Sequence, residues 1–386
     1  MTVRILLPLA ALVTALYSIA VEQATPSPAA RICVRGGCRY DQMFSSVERH
    51  GASPAALAAL VEEDPSNPHA WADYGEYLAS AGERDSAEQV FAQSIGLGSG
   101  LAPVLMRAAN FDFTHGRSGL GLALAPRILS QTSDYDEILF SYLNLFGLGP
   151  ADLWGGSIRP SPRAARSWLR WTLNRSSDNE ILTTWAWLKS QGLADEESAA
   201  ETVKMLWQHQ AYGEAHGVWL DWLGSRAGDY PRKQLLANAR FEAQPSSTPF
   251  DWDLSPRPGV AYSRGKGLEI RFLGQENVTD GGVHQYAVVS PGPYRLTAEV
   301  STRDISTDEG VFFEITDKEH PDRLRAQSDP LLGSRLWGTT TLEFTVPAGT
   351  HVLRVQLARK ASTKFDNQLA GVLWLHRLAL EPCASQ

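Results

Sequence analysis

The chain has 386 residues, 43% hydrophobic and 20% charged, with a formal net charge of −8. The length exceeds one ordinary core and fits two domains, and the composition is that of a globular protein rather than a disordered one. The acidic balance, with no run of clustered Lys and Arg, excludes nucleic acid and anionic lipid as expected partners.

At the amino end, Arg4 precedes the apolar run ILLPLAALVTALYSIAV, residues 5–21. A charged start before such a run is the pattern of a secretory signal or an uncleaved signal anchor, assigned to residues 1–24. The run is at the short edge of a membrane span, and the anchor is preferred because the small residues Ala20 and Ala24 give no strong cleavage site. Positive charge tends to stay in the cytoplasm, so the remainder is expected to be exported, on the periplasmic side of the inner membrane. Residues 25–44 read as a linker. Within it Cys33 and Cys38 flank VRGG, whose glycines allow a small disulfide loop; unpaired thiols are the alternative.

Residues 45–230 read as helices. Ser53 caps and Pro54 opens SPAALAALVEEDPSNP. The stretch from Ala70 to Ile95 predicts two amphipathic helices meeting near Gly82, with Gly75 and Ala87 small enough for close approach. Ser161 and Pro162 open a further helix that ends near Asn174. A capping Ser177 or Asp178 and Gly192 bound another. Ala199, Val203, Leu206 and Gln210 define one face of the next. Eight of the twelve Trp residues fall between Trp154 and Trp222. Pairs three apart, Trp168 with Trp171 and Trp219 with Trp222, suit core packing between stacked helices better than a stacking groove for sugar or peptide. His209 and His216 are seven apart, off the spacing of a helical metal pair, and read as surface or cap residues.

From residue 235 to 382 the hydrophobic period becomes two. LEIRF, YRLTAEV, VFFEI, LEFTV and LRVQL alternate, separated by TDGG at Thr279, SPGP at Ser290 and VPAGT at Val346. This predicts an antiparallel sandwich opened by a strand at LLANARFE, with a bulge near Arg377 where LWLHRLAL slips. Flat rings and polar partners suited to a sugar are Trp252, Tyr262, Tyr286 and Trp337 with Arg303 and Asp304. For each of these rings core packing is the competing reading. It is strongest for Trp337 and Trp374 at strand edges.

Trp71, Gly75, Gly82, Ala87 and Phe91 stand at the spacing of the tetratricopeptide repeat, a helix–turn–helix unit of about 34 residues, which this stretch resembles. Tyr74, Leu78 and Ser94 depart from its pattern. Asn110 and Phe113 begin a second unit that decays at Pro126, so the resemblance covers roughly residues 45 to 130. The order NARFE, FDW, VVSPGPYRL, LW, LEFTVPAGTHVLRVQL and GVLWLHRLAL resembles the galactose-binding-like jelly rolls of carbohydrate-binding modules. Those modules imply a structural calcium held in part by the Glu of the opening motif, here Glu242. His376 stands at the closing position and is a poor ligand for calcium, so no metal and no cofactor is assigned.

The fold class expected is therefore an α-helical repeat followed by an antiparallel jelly roll. GVAYSRGKG is not a phosphate loop, GLGSG is not a nucleophile elbow, and no His-Glu-x-x-His occurs, so no catalytic residue is assigned. Together the two regions resemble bacterial envelope proteins linked to exopolysaccharide production. That implies a non-enzymatic adaptor whose helical repeats bind a protein partner while the jelly roll binds glycan or protein. The alternatives are a carbohydrate-active enzyme or its accessory subunit, and a sandwich that only caps the helices.

Overall fold

A computed structural model of the chain describes residues 43–47, 53–155, 159–365 and 367–383. The apolar run at residues 5–21, the linker up to residue 42, and Cys33 and Cys38 lie outside the described residues. Helices come first and antiparallel sheets follow, as the change of period predicts. The compact units divide elsewhere, as Met1–Trp168 and Leu169–Gln386.

In the first unit, α1 (Pro54–Glu63) opens on Ser53, whose Oγ accepts from the Ala56 amide at 3.2 Å. Next come α2 (Pro68–Ser80), α3 (Arg84–Leu97), α4 (Ala102–Thr114) and α5 (Ser118–Gln131). Helices α2 and α3 form a hairpin closed at Gly82. Gly75 allows their close approach: a Cβ there would stand 3.0 Å from the Phe91 ring. Ala72, Leu78, Ala87, Phe91, Ala108 and Phe111 make one buried cluster, with Phe91 stacked on Phe111 at 4.9 Å. Ser94 is buried and its Oγ donates to the Pro68 carbonyl at 2.7 Å, which explains a polar residue where the repeat has Ala. Pro126 does not end its helix; α5 continues through it to Gln131.

The helices α6 (Asp136–Leu145) and α7 (Pro150–Leu153) follow. Polar rungs join alternate helices of this unit, α2 to α4 and α4 to α6, at the repeat spacing. Arg107 donates to Asp73, 34 residues back, and to Glu76, 31 back. Tyr142 Oη donates to Asn110 Oδ1, 32 back.

The helix α8 (Pro162–Leu173) carries the division between the units. The second unit then has α9 (Asp178–Ser190), α10 (Glu196–Gln208) and α11 (Tyr212–Leu223). Ser177 caps α9, and a 3-10 turn, Gly224–Ala227, ends the helical stretch. The rung spacing persists here, past the point where the sequence match decays. Arg170 reaches Glu201 31 residues on, His209 reaches Asp178 31 residues back, and Trp185 Nε1 reaches Asp221 36 on. Trp168, Trp171 and Trp219 are buried as packing residues, while Trp222 is half-buried with Arg226 over its ring at 4.6 Å. Gln210 does not share the buried face of Ala199, Val203 and Leu206: it lies beyond α10, exposed, with φ 64°.

Among the described residues nine strands build the sandwich: β1 (Val260–Gly265), β2 (Gly267–Leu273), β3 (Asp280–Val288), β4 (Gly292–Ile305), β5 (Val311–Asp317), β6 (Arg325–Gln327), β7 (Gly333–Val346), β8 (Val352–Arg359) and β9 (Ala370–Pro382). One sheet runs β1-β2-β9-β4-β7 and the other β3-β8-β5-β6, all antiparallel. Their inner faces bury Ile270, Leu296, Ile315, Val355 and Leu373 among others. The bulge in β9 is at His376, since Glu299 pairs Arg377 while the next residue, Val300, pairs Leu375.

Two local expectations are corrected. LLANARFE is not a strand. It bonds to β9 through Leu235 N to Leu380 O and Leu378 N to Ala239 O, but Asn238 (φ 49°) and Phe241 (φ 58°) break the extended backbone. TDGG is not a separating turn; Asp280–Gly282 begin β3, with a register shift before His284. Directly after FDW the chain meets the sheet, where Asp253 bridges His284.

Within the second unit the last helices pack on the sandwich. Trp207 of α10 lies edge-on to Phe250 at 5.5 Å and tilted on Tyr286 at 4.8 Å. Lys318 Nζ donates to Tyr212 Oη at 2.7 Å. Buried Asp317 fixes the turn that presents Lys318, accepting from the Glu319 and His320 amides and from Thr350 Oγ1. His216 is not a surface residue. It shares a 2.8 Å hydrogen bond with Tyr230 Oη, packs 5.0 Å from the Phe250 ring, and burial pushes its pKa down to about 4.

Candidate functional site

The outer face of the five-stranded sheet carries accessible aromatic surface. Alternation in LWLHRLAL turns Leu373 and Leu375 into the core and leaves Trp374 and His376 half-buried on the opposite side. Trp374 pairs across the sheet with Glu269 of β2 and Ser301 of β4. Its Nε1 donates to Glu269 Oε2 at 2.9 Å, and the Arg303 guanidinium lies 5.1 Å from its ring centre. Arg271 donates to the other Glu269 oxygen at 2.7 Å. The hydrogen bonds from Arg271 and Trp374 hold the Glu269 carboxyl below its usual range.

On β7, a bulge sets residues 335–338 opposite Val300–Thr302 of β4, whose middle residue Ser301 faces Trp374. Trp337 stands in that bulge, 58% exposed, its ring 6.2 Å from His376 and edge-on. Leu336 beside it is 94% exposed. Asp304, exposed with φ 53°, is tied to Ser334: its amide donates to Ser334 Oγ, which donates back to Asp304 Oδ1. Rings on a sheet with nearby charged groups offer a flat apolar surface and polar contacts at its edge, the requirement for a sugar ring.

Of the six ring and polar residues singled out from sequence, Trp337, Arg303 and Asp304 are accessible on this sheet. Trp252 is not available to a ligand: it is 1% exposed, packs 4.8 Å from Phe241, and donates from Nε1 to the Asn238 carbonyl. Tyr262 is half-buried, its hydroxyl donates to the Gly281 carbonyl at 2.7 Å, and burial pushes its pKa up to about 12. Tyr286 lies on the other sheet, half-buried against Trp207. Trp374, read from sequence as a packing residue, is half-buried on this outer face, as its alternation with Leu373 and Leu375 signals.

The residues implied for a structural calcium do not fit one. Glu242 is exposed, and Arg240 Nη1 lies 3.3 Å from His376 Nε2, which brings a fixed positive charge to the closing position. Among the described residues no three His, Cys, Asp or Glu side chains converge as a metal site.

On the helices, a shallow cavity of about 310 Å³ lies between α8 and α10, lined by Leu173, Glu201, Lys204 and Met205. Among the described residues no helix is long and apolar enough to cross a membrane.

No protein-family model and no curated protein matches the chain. Solved structures of two kinds are similar to it. A crystal structure of a MamA protein shares 10% identity over 51% of this chain and 96% of that one, with a TM-score of 0.26. YrrB, a tetratricopeptide-repeat protein with an unusual peptide-binding site, shares 15% over 47% and 95%, with a TM-score of 0.25. The carbohydrate-binding module CBM6cm-2 from Cellvibrio mixtus lichenase 5A, solved with cellotriose, shares 11% over 34% and 92%, with a TM-score of 0.23.

Proposed function

We propose that this chain is a non-enzymatic adaptor of the bacterial cell envelope that binds glycan on the five-stranded sheet and a protein partner on its helical repeats. One observation carries the glycan reading. Trp337, 58% exposed beside the 94% exposed Leu336, sits on a sheet face with Trp374 and Arg303. An exposed apolar patch rimmed by polar groups, which the core does not require, marks a binding surface. The apolar run at residues 5–21 after Arg4 supports export and a tether to the inner membrane, with the folded part on the periplasmic side. Stacked helices with a cavity between α8 and α10 suit a protein partner. The combination supports a role in exopolysaccharide assembly or export.

The test is a glycan array with the whole chain, wild type beside Trp337→Ala. Retention on one polysaccharide class, lost by at least about tenfold in the variant while its melting temperature is unchanged, is expected because an exposed ring contributes little to the core. No retention on any polysaccharide sinks the glycan reading. Capture of the same partner from envelope membranes by wild type but not by a Lys204→Glu variant tests the helical surface.

A further inference from the structure

The four-stranded sheet carries a second polar face, on the opposite side of the sandwich from Trp337. Its outer residues form two cross-strand rows. His284, Gln356, Glu314 and Gln327 stand opposite one another in the first. Tyr286, Arg354, Thr316 and Arg325 do so in the second. This is not an ordinary solvated fringe, since Glu314 is only 8% exposed and Thr316 is buried with it.

The carboxylate of this face is already committed. Glu314 Oε1 accepts from Gln327 Nε2 at 2.8 Å and Oε2 accepts from Gln356 Nε2. Arg325 Nε is 3.8 Å from Oε1. Arg354, in the adjoining row, has no such answer. It is half-buried, its Nε is enclosed without an acceptor, and its guanidinium makes no hydrogen bond, ion pair or ring contact among the described residues. His284 Nδ1 is also buried without a partner, while His284 Nε2 faces Asp253 at 3.6 Å. Burial, with the charge of Arg354 as the next cause, holds this imidazole below its usual pKa, so it is neutral at neutral pH.

Folded proteins pair their buried charges and satisfy their buried polar atoms, because desolvating either without compensation is costly. The guanidinium of half-buried Arg354, left without a partner beside a neutral imidazole, is therefore set for something outside the chain. The cation calls for an anion, and a planar guanidinium matches a carboxylate best. Around it stand a phenol, a hydroxyl and two amides, with Arg325 at the far end of the row, 3.8 Å from Glu314 Oε1. That mixture of donors and acceptors suits the hydroxyls of a sugar.

We infer that this face binds a carboxylated sugar, the uronic acid residue of an acidic glycan, with the carboxylate on Arg354. The inference shares with the proposed function the reading of the sandwich as a glycan-binding module, but it places a separate site on the other sheet.

The experiment titrates the whole chain with an oligogalacturonate, its methyl ester and poly-glutamate, at about 0.1 M salt to screen loose surface attraction. Wild type is compared with Arg354→Gln and Trp337→Ala. The acid is expected to bind and the ester to bind at least about tenfold more weakly. Arg354→Gln is expected to lose roughly ten- to hundredfold in affinity for the acid, the loss of charge-assisted hydrogen bonds. Trp337→Ala is expected to keep that affinity. The melting temperature of Arg354→Gln is expected to hold or rise, because an unpaired charge leaves the fold. A loss of stability in that variant would mean that Arg354 already has a partner, and overturns the inference. Equal binding of acid and ester, no binding of the acid, or an unchanged Arg354→Gln overturns it too. Tighter binding of poly-glutamate through Arg354 replaces the sugar with an acidic peptide and overturns it as stated. If neutral glycans fail on every variant while the acid still binds through Arg354, the Trp337 reading falls and this one stands.

Discussion

Acidification should weaken the second unit through His216, and the size of the effect follows from its surroundings. The imidazole lies between Tyr230 and Phe250, and burial lowers its pKa from 6.5 to about 4. A histidine depressed in the folded state binds its proton more readily when unfolded. Stability is therefore lost as pH falls below the unfolded value, and the loss levels off once pH passes the folded one. Between about pH 7 and about pH 5 the loss from this one group is about 2 kcal/mol, and about 3 kcal/mol when protonation is complete in both states. Asp251, near Tyr230, acts with the opposite sign. Burial raises its carboxyl, so protonation at still lower pH favours the folded form and offsets part of the loss. His216→Gln removes the titrating group and leaves Asp251 in place. Urea unfolding followed by tryptophan fluorescence, for wild type and variant at both pH values, isolates the difference. Wild type should lose about 2 kcal/mol more than the variant between them. An equal loss in both proteins would show that His216 is not enclosed as described.

Four further substitutions test the packing. Gly75→Val should destabilise the first helical hairpin by about 1–3 kcal/mol, because a Cβ already meets the Phe91 ring at 3.0 Å; thermal unfolding reads it. Gly282→Ala should cost a similar amount, about 1–3 kcal/mol, since φ is 64° and the new Cβ would lie 2.0 Å from Tyr262 Oη. Tyr262→Phe in the same chain should return part of that loss, and a double-mutant cycle measures the coupling. Arg359→Met should cost about 3 kcal/mol or more in chemical unfolding, as this 4% exposed residue donates from its guanidinium to the Glu309 and Val278 carbonyls and to Asn277 Oδ1 and Thr307 Oγ1.

Features fixed by neighbours in sequence were legible. Gly75 and Phe91 are sixteen residues apart in one hairpin, and small-against-large at that spacing needs no distant information. The strands announced themselves by period, and the slip in LWLHRLAL located a real bulge to within one residue. LLANARFE failed because its alternation mimics a strand while Asn238 adopts positive φ, held by two side-chain bonds to Ala243. Asn tolerates that region better than most residues, so the signal existed but was weak. Trp252 and Trp337 look alike in sequence. What separates them is whether Asn238 and Phe241 fold over the ring, which is a tertiary fact. The open charge on Arg354 is less visible still. LRVQL places it on the outer face, but only the commitment of Glu314 to two amides from other strands leaves it unpaired.

The change from helical to strand period near residue 235 is not a boundary of compactness. Trp207 packs on Phe250 and Tyr286, and His216 on Tyr230 and Phe250, all within the unit that begins at Leu169. A fragment cut at residue 235 would therefore strip α10 and α11 from the sheet edge and bare the rings they cover. Newly bared aromatic rings bind sugars and surfaces indiscriminately, because stacking needs only an accessible face. Retention of such a fragment on a polysaccharide would report the cut rather than the native sheet. For the same reason Tyr286, half-covered by Trp207, must be judged with the helices present: the ring beside Arg354 offers a ligand only the surface that α10 leaves open.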